Sequence, residues 1–207
     1  MKYLVSTPWW MKQLYPQRLW SVKTAEKIIY LSFDDGPHPH ATTFVLDELK
    51  KYAAAGTFFC IGENVNRYPE IYRRILDEGH ATGNHTQHHL NGWKTGDDEY
   101  LRDIAEAREW IHSDLFRPPY GRLRSSQAKK LPGVLGDKAK IVMWDVLSAD
   151  FDQSVSGEKC LRNVINNAKP GSIIVFHDSE KAWSRLSFVL PRVLEYFSGK
   201  EYRFFRL

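Results

Sequence analysis

Two histidines four residues apart, His85 and His89 in the run GNHTQHHL, have a spacing that suits a shared divalent ion. On a locally helical stretch their side chains stand about 5–6 Å apart on one face, and His88 points away from it. A carboxylate from another part of the chain would complete a three-ligand site. A solvated polar loop beside Asn84 and Asn91 would carry the same residues, so the pair alone does not decide. Asp34 and Asp35 follow the apolar run IIYLSF directly. Adjacent carboxylates repel, so one calls for a cation and the other for a hydrogen-bond donor. Gly36 and Pro37 account for a turn here, but not for two acids at its start. Further along stand Arg117, the carboxylates Asp145 and Asp150, and the pair His177–Asp178.

Each of these groups lies at the end of a β-branched or aromatic run. The runs at 28–33, 57–61, 80–83, 115–116, 141–144, 172–176 and 202–205 read as strands. Helical periodicity fills the stretches 42–54, 70–78, 97–113, 157–168 and 186–197. Alternation of this kind predicts an α/β fold with about seven mostly parallel strands, apolar where helices cover the sheet. Reactive side chains collect at the C-terminal ends of such strands, because the following loops converge there.

The chain has 207 residues, and no linker rich in Pro, Gly or Ser divides it, so one domain over 1–207 is expected. Its 43% hydrophobic and 26% charged residues exclude a disordered chain and a fibre. The formal charge of +4 is scattered, which argues against a nucleic-acid partner. Cys60 and Cys160 are too few for a disulfide scaffold and read as free thiols. No apolar run reaches membrane-spanning length, and the start lacks the pattern of a secretory leader. That pattern favours a cytoplasmic location, with cell-envelope association as the alternative, and a monomer is the favoured state. Trp9, Trp10 and Trp20 in the first 27 residues are expected to seal one end of the core.

The run SFDDG, the HTQHH at 85–89, the RPPYG at 117–121 and the FH at 176–177 resemble, in that order, the polysaccharide deacetylase family, the NodB-homology carbohydrate esterases. The likeness extends over about 28–194, leaving 1–27 as an extension packed on the core. It implies a distorted (β/α) barrel that removes N- or O-acetyl groups from glycans. By resemblance Asp34 is the general base, and Asp35, His85 and His89 are ligands of one divalent ion, zinc first, with cobalt or nickel as alternatives. Arg117 orients the base, the Tyr120 N–H helps hold the oxyanion, His177 is the general acid and Asp150 charges it. Val175 stands where the family has a leucine lining the acetyl-methyl pocket. Trp93, Phe151 and Trp183 lie in or beside the motif loops, where flat rings can cover a pyranose, and complete the expected groove. Leu90, Leu147 and Phe151 depart from a proline, an aspartate and a tryptophan common in the family, which bears on substrate choice. Asp145 is read either as a support behind the site or as a satisfied structural carboxylate.

Two other readings use the same residues. A two-histidine, one-carboxylate set also serves non-haem iron oxygenases, but that leaves Asp34, Arg117 and the Asp150–His177 pair without a task. A glycan-binding module without activity needs neither base nor acid. The expected partner is an acetylated glycan or amino sugar: peptidoglycan units, chitin-like oligomers or an O-acetylated xylan.

Overall fold

The computed structural model describes residues 3–207. Its strands are β1 (Ile28–Asp34), β2 (Gly56–Cys60), β3 (Ala81–Asn84), β4 (Leu115–Phe116), β5 (Lys140–Ile141), β6 (Val146–Leu147), β7 (Ile173–His177) and β8 (Arg203–Phe204). Its helices are α1 (Trp9–Leu14), α2 (Ala41–Lys51), α3 (Gly62–Arg67), α4 (Pro69–Asp77), α5 (Asp97–Arg108), α6 (Ser125–Lys130), α7 (Pro132–Leu135), α8 (Gly157–Ile165) and α9 (Trp183–Ser198). The sheet runs β5-β4-β3-β2-β1-β7-β6, with every pairing parallel, and β8 lies beside the start of β1. This is the expected distorted barrel, curled and not fully closed by its own strands.

Strand alternation separates two environments. On β1, Ile29, Leu31 and Phe33 join a core with Val45, Leu46 and Leu49 of α2, Cys160 and Val164 of α8, and Leu186, Val189 and Leu190 of α9. Ser32 and Asp34 take the opposite face, as period-2 geometry requires, and reach Arg117 there. A smaller core joins Tyr100 and Ile104 of α5 to Leu131, Leu135 and Trp20. The largest of the fully buried apolar side chains contribute roughly 1.5–3 kcal/mol each, which anchors the strand ends that carry the polar groups.

Where prediction gave one strand over 141–144, the chain forms β5 and β6 on opposite edges of the sheet. One edge of the run pairs with β4, with Val142 N donating to Phe116 O at 2.8 Å, and the N-terminal extension meets the other edge: Leu19 donates its N–H to Ile141 O at 2.9 Å and accepts from Met143 N at 2.7 Å. Ser6 pairs antiparallel with Val146, and Leu147 N donates to Val5 O at 2.8 Å. Residues 3–22 thus line the seam between the two edges. Asp145 belongs to this seam: its buried carboxylate accepts from Lys12 Nζ at 2.5 Å and Ser172 Oγ at 2.6 Å. It ties the extension to the barrel, and among the described residues its side-chain hydrogen bonds go to Lys12 and Ser172 and not to the strand-end cluster.

The tryptophans divide. Trp20 is buried and donates to Tyr15 O at 3.0 Å, whereas Trp9 and Trp10 are 76% and 48% exposed. The six-residue α1 buries none of its residues, so the expected seal is made by Trp20 alone of the three. The predicted helices 97–113 and 157–168 end earlier, at Arg108 and Ile165, and 186–197 begins earlier, at Trp183. Both cysteines are free and buried. Among the described residues, no helix is long and apolar enough to cross a membrane.

Candidate active site

Parallel pairing sets the site's layout. Asp34, last in β1, is the register partner of His177, last in β7. On the other flank, Asn84 of β3 pairs with Phe116 of β4, so His85 and Arg117 leave adjacent strands side by side. Five strand ends therefore meet at one mouth: β1, β3, β4, β6 and β7. Asp150 reaches it from the turn after β6 and not from a strand at 141–144.

The His85–His89 pair converges, but not as a helix. Residues 85–90 form an irregular turn in which Thr86 and His89 have φ of 65° and 56°. This left-handed backbone is uncommon outside glycine, and for a β-branched residue such as Thr86 it is strained. The turn brings the two rings to 5.1 Å between centroids. His89 Nε2 lies 3.2 Å and His85 Nε2 3.8 Å from Asp35 Oδ1, and one donor atom from each residue falls within 4.8 Å of the others.

These three residues fit a divalent ion. Asp35 Oδ1 is buried without a hydrogen-bond partner, and an orphaned acceptor of that kind is costly unless something fills it. His85 Nδ1 is 2.7 Å from Arg117 O and donates to it, which leaves a Nε2 lone pair facing Asp35. Burial lowers the His85 pKa to about 4, against the opposing pull of Asp34, so the ring is neutral at pH 7. Burial pushes the Asp35 pKa up, but His89 and the charge on His177 outweigh it and hold the carboxyl well below its ordinary range. The outcome is one ionised carboxylate facing a neutral imidazole, the donor chemistry zinc and its neighbours take.

Asp34 and Arg117 form a buried pair, with Arg117 Nη1 2.6 Å from Asp34 Oδ1. The same nitrogen donates to Ser32 Oγ at 2.8 Å, Nη2 to Met143 O at 3.0 Å and Nε to Val142 O at 3.3 Å. The guanidinium also lies 4.0 Å over the Phe59 ring, and Gly83 makes room for that ring, since a Cβ there would sit 2.5 Å from it. Desolvation lowers the Arg117 pKa while Asp34 raises it again. A guanidinium so fully bonded fixes the carboxylate it touches.

On the opposite side Asp150, fully buried, meets His177 Nδ1 at 2.8 Å and accepts the His177 main-chain N–H at 2.8 Å. Burial alone would lower the His177 pKa. Asp150, with smaller help from Asp35 and Asp34, raises it to about 9. The imidazole is therefore protonated at neutral pH, with Nε2–H as its free donor.

The residues expected to form the groove have different surroundings. Tyr120, 57% exposed at φ 59°, sets its hydroxyl 3.1 Å from His89 Nδ1. Trp93 is 54% exposed with the Arg122 guanidinium 4.0 Å above it. Phe151 lies edge-on to His177 at 5.1 Å and to Tyr3 at 5.3 Å. Val175 is buried on the same strand face as His177. Trp183 is half-buried at the start of α9, against His40 and Phe44.

The sequence singled out Asp178 as a strand-end polar residue without giving it a role: fully buried, it accepts from Gly36 N at 3.1 Å and Thr42 Oγ1 at 2.5 Å, and burial holds its pKa well above the carboxylate range. Its Oδ2 would be 2.1 Å from a Cβ on Gly36, so only glycine fits in the turn that presents Asp35. Asn64 donates to Asp35 O at 2.7 Å, and Arg185 Nε to Asp150 O at 2.6 Å. Ser32 could have been found, since a hydroxyl two residues before Asp34 inside an apolar strand must share its face.

A curled parallel sheet with its polar strand ends gathered at one mouth defines a hydrolase of the NodB type. The profile described as polysaccharide deacetylase matches residues 21–132, and the chain belongs to that family. A peptidoglycan-N-acetylglucosamine deacetylase of Bacillus cereus is 36% identical over 193 residues, 89% of this chain and 88% of the relative. A chitooligosaccharide deacetylase of Azorhizobium caulinodans is 36% identical over 157 residues, 72% of this chain and 73% of the relative. The crystal structure of the Bc1960 peptidoglycan N-acetylglucosamine deacetylase, in complex with 4-naphthalen-1-yl-N-oxidanyl-benzamide, superposes with a TM-score of 0.85 at 32% identity. It covers 97% of this chain and 95% of that one. The chain is thus a carbohydrate deacetylase, an enzyme hydrolysing carbon–nitrogen bonds other than peptide bonds.

Proposed function

We propose that this enzyme removes the N-acetyl group from N-acetylglucosamine units of a peptidoglycan-type or chitin-type glycan, with Asp34 as base, His177 as acid and one divalent ion at Asp35, His85 and His89. The observation that carries this reading is the pairing of Asp34 with His177 in register, beside the three-donor cluster. An ion held there, zinc first, supplies positive charge that acidifies water and polarises the acetyl carbonyl. The N-oxidanyl-benzamide seen on Bc1960 carries a chelating group, which supports the same reading by similarity.

The chain's own residues do the rest. Asp34, oriented by Arg117 Nη1 at 2.6 Å, accepts a proton from the attacking water. The Tyr120 N–H donates to the oxygen that gathers negative charge. An amine leaves badly unless protonated, and His177, charged beside Asp150, donates Nε2–H to the departing nitrogen. That protonated acid favours an amide over an ester substrate, because an alkoxide leaving group needs the proton less. Trp93, Phe151, Val175 and Trp183 form the groove of this proposal, with ring faces for the sugar.

The test is acetate release from N-acetylated chitooligosaccharides, peptidoglycan fragments and O-acetylated xylan. Metal-stripped protein is supplied in turn with zinc, cobalt or nickel. Release from N-acetylated substrates that depends on the added ion is the expected result. Glycan binding without release under any ion would return the chain to the role of a binding module.

A further inference from the structure

The third histidine of the run 85–89 has its own partner. His88 Nδ1 lies 2.6 Å from Asp103 Oδ1, on α5. Asp103 Oδ2 accepts the main-chain N–H of Gln87 at 2.9 Å and of His88 at 3.1 Å. The Asp103 carbonyl also lies 3.2 Å from Gln87 N. One residue later on the same helix, Ile104 O accepts Asn84 Nδ2 at 3.0 Å, and Asn84 Oδ1 accepts Thr86 N at 2.9 Å. The turn between the two candidate metal histidines is therefore clasped to α5 at both ends.

The clasp answers a conformational problem. Thr86 and His89 both hold left-handed backbone, a state that persists only when surroundings enforce it. With Thr86 left-handed, the next two N–H groups point the same way and form a small anion-binding concavity. The buried Asp103 carboxylate fills it. We propose that Asp103 is a positioning residue for the metal centre: it acts through the 85–89 turn to hold His85 and His89 at bonding separation. This rests on the metal reading given under Proposed function.

His88, Asp103 and Glu106 also lie close enough together to suggest an ion of their own. The bonds argue for the clasp, since both Asp103 oxygens are already engaged by three N–H groups. A second ion would have to displace them.

Cobalt titration of the full chain tests the assignment by visible absorbance, which reports ligand geometry as well as affinity. Wild-type protein should bind one Co2+. Asp103→Ala should weaken it about 10- to 100-fold and alter the absorption band. Asp103→Asn, whose amide oxygen still accepts main-chain N–H groups, should recover most of that loss. Glu106→Gln should keep one ion with unchanged affinity. Circular dichroism melting accompanies each titration, and Asp103→Leu, of similar size but without an acceptor, carries the test if Asp103→Ala does not fold. Affinity and an absorption band equal to wild type in a folded Asp103→Ala or Asp103→Leu would overturn the clasp while leaving the metal reading intact. Two ions in wild type and one in Glu106→Gln would overturn it in favour of a second metal site. No binding by wild type would overturn the metal reading, and this inference with it.

Discussion

Replacing Asp150 by asparagine isolates the charge that keeps His177 protonated. Asp150 is fully buried, and its two oxygens meet His177 Nδ1 and the His177 N–H, each at 2.8 Å. Asparagine keeps the shape and one acceptor but removes the charge. Burial then acts with much less opposition, and the His177 pKa falls from about 9 to its ordinary 6.5 or below. A fall of about 2.5 in pKa equals roughly 3.4 kcal/mol of lost preference for the imidazolium. At about pH 7.5 the protonated fraction drops from roughly 97% to roughly 9%, so the acid-dependent rate falls about tenfold. The sign follows from the role. An acid works below its pKa, so kcat/KM has an alkaline limb near pH 9 in the parent, and the variant's limb moves to lower pH. The same linkage acts on folding. The raised pKa contributes stability that is fully present below pH 6.5 and lost as pH rises through about 9. The variant should lose that window in urea unfolding. Acetate release from an N-acetylated chitooligosaccharide, followed across the pH range, is the assay. A lowered plateau with the alkaline limb still near pH 9 would refute the reasoning.

Other perturbations follow from the same contacts. Asp34→Asn should bind cobalt like the parent while losing most turnover, and His85→Ala should lose both, which isothermal titration beside acetate release will show. Arg117→Ala leaves Asp34 buried without its partner, so a loss of roughly 3–5 kcal/mol is expected in urea unfolding. Gly36→Ala drives a Cβ to 2.1 Å from Asp178 Oδ2. About 1–3 kcal/mol of destabilisation, with weaker cobalt binding through Asp35, should appear in melting and titration. His177→Ala should cost less on aryl acetates than on acetamides, because a phenolate leaves without a proton, and paired kcat/KM ratios test this.

The sequence made the ordered strand ends visible because each polar group follows an apolar run, and parallel pairing then forces Asp34, His85, Arg117 and His177 to one mouth. Less was visible where tertiary hydrogen bonding overrides local pattern. The run 141–144 has strand composition, but away from β4 it pairs only with the single residue Leu19 of the distant N-terminal segment. The four-residue histidine spacing suggested a helix, whereas the rings meet through left-handed residues that α5 enforces. Asp103 and Arg185 carry no local signal, and the strand-end position of Asp178 gave no role, because what they do depends on elements far away in the chain. Trp9 and Trp10 have core composition but sit on a helix that buries none of its residues.

Anomalous diffraction at the zinc edge from crystals grown with zinc tests the central claim most directly. The account predicts one strong peak about 2.0–2.2 Å from His85 Nε2, His89 Nε2 and an Asp35 oxygen, with Asp34 and His177 on either side of it. A peak held by other residues, or zinc bound with Asp34 turned away from it, would contradict the account.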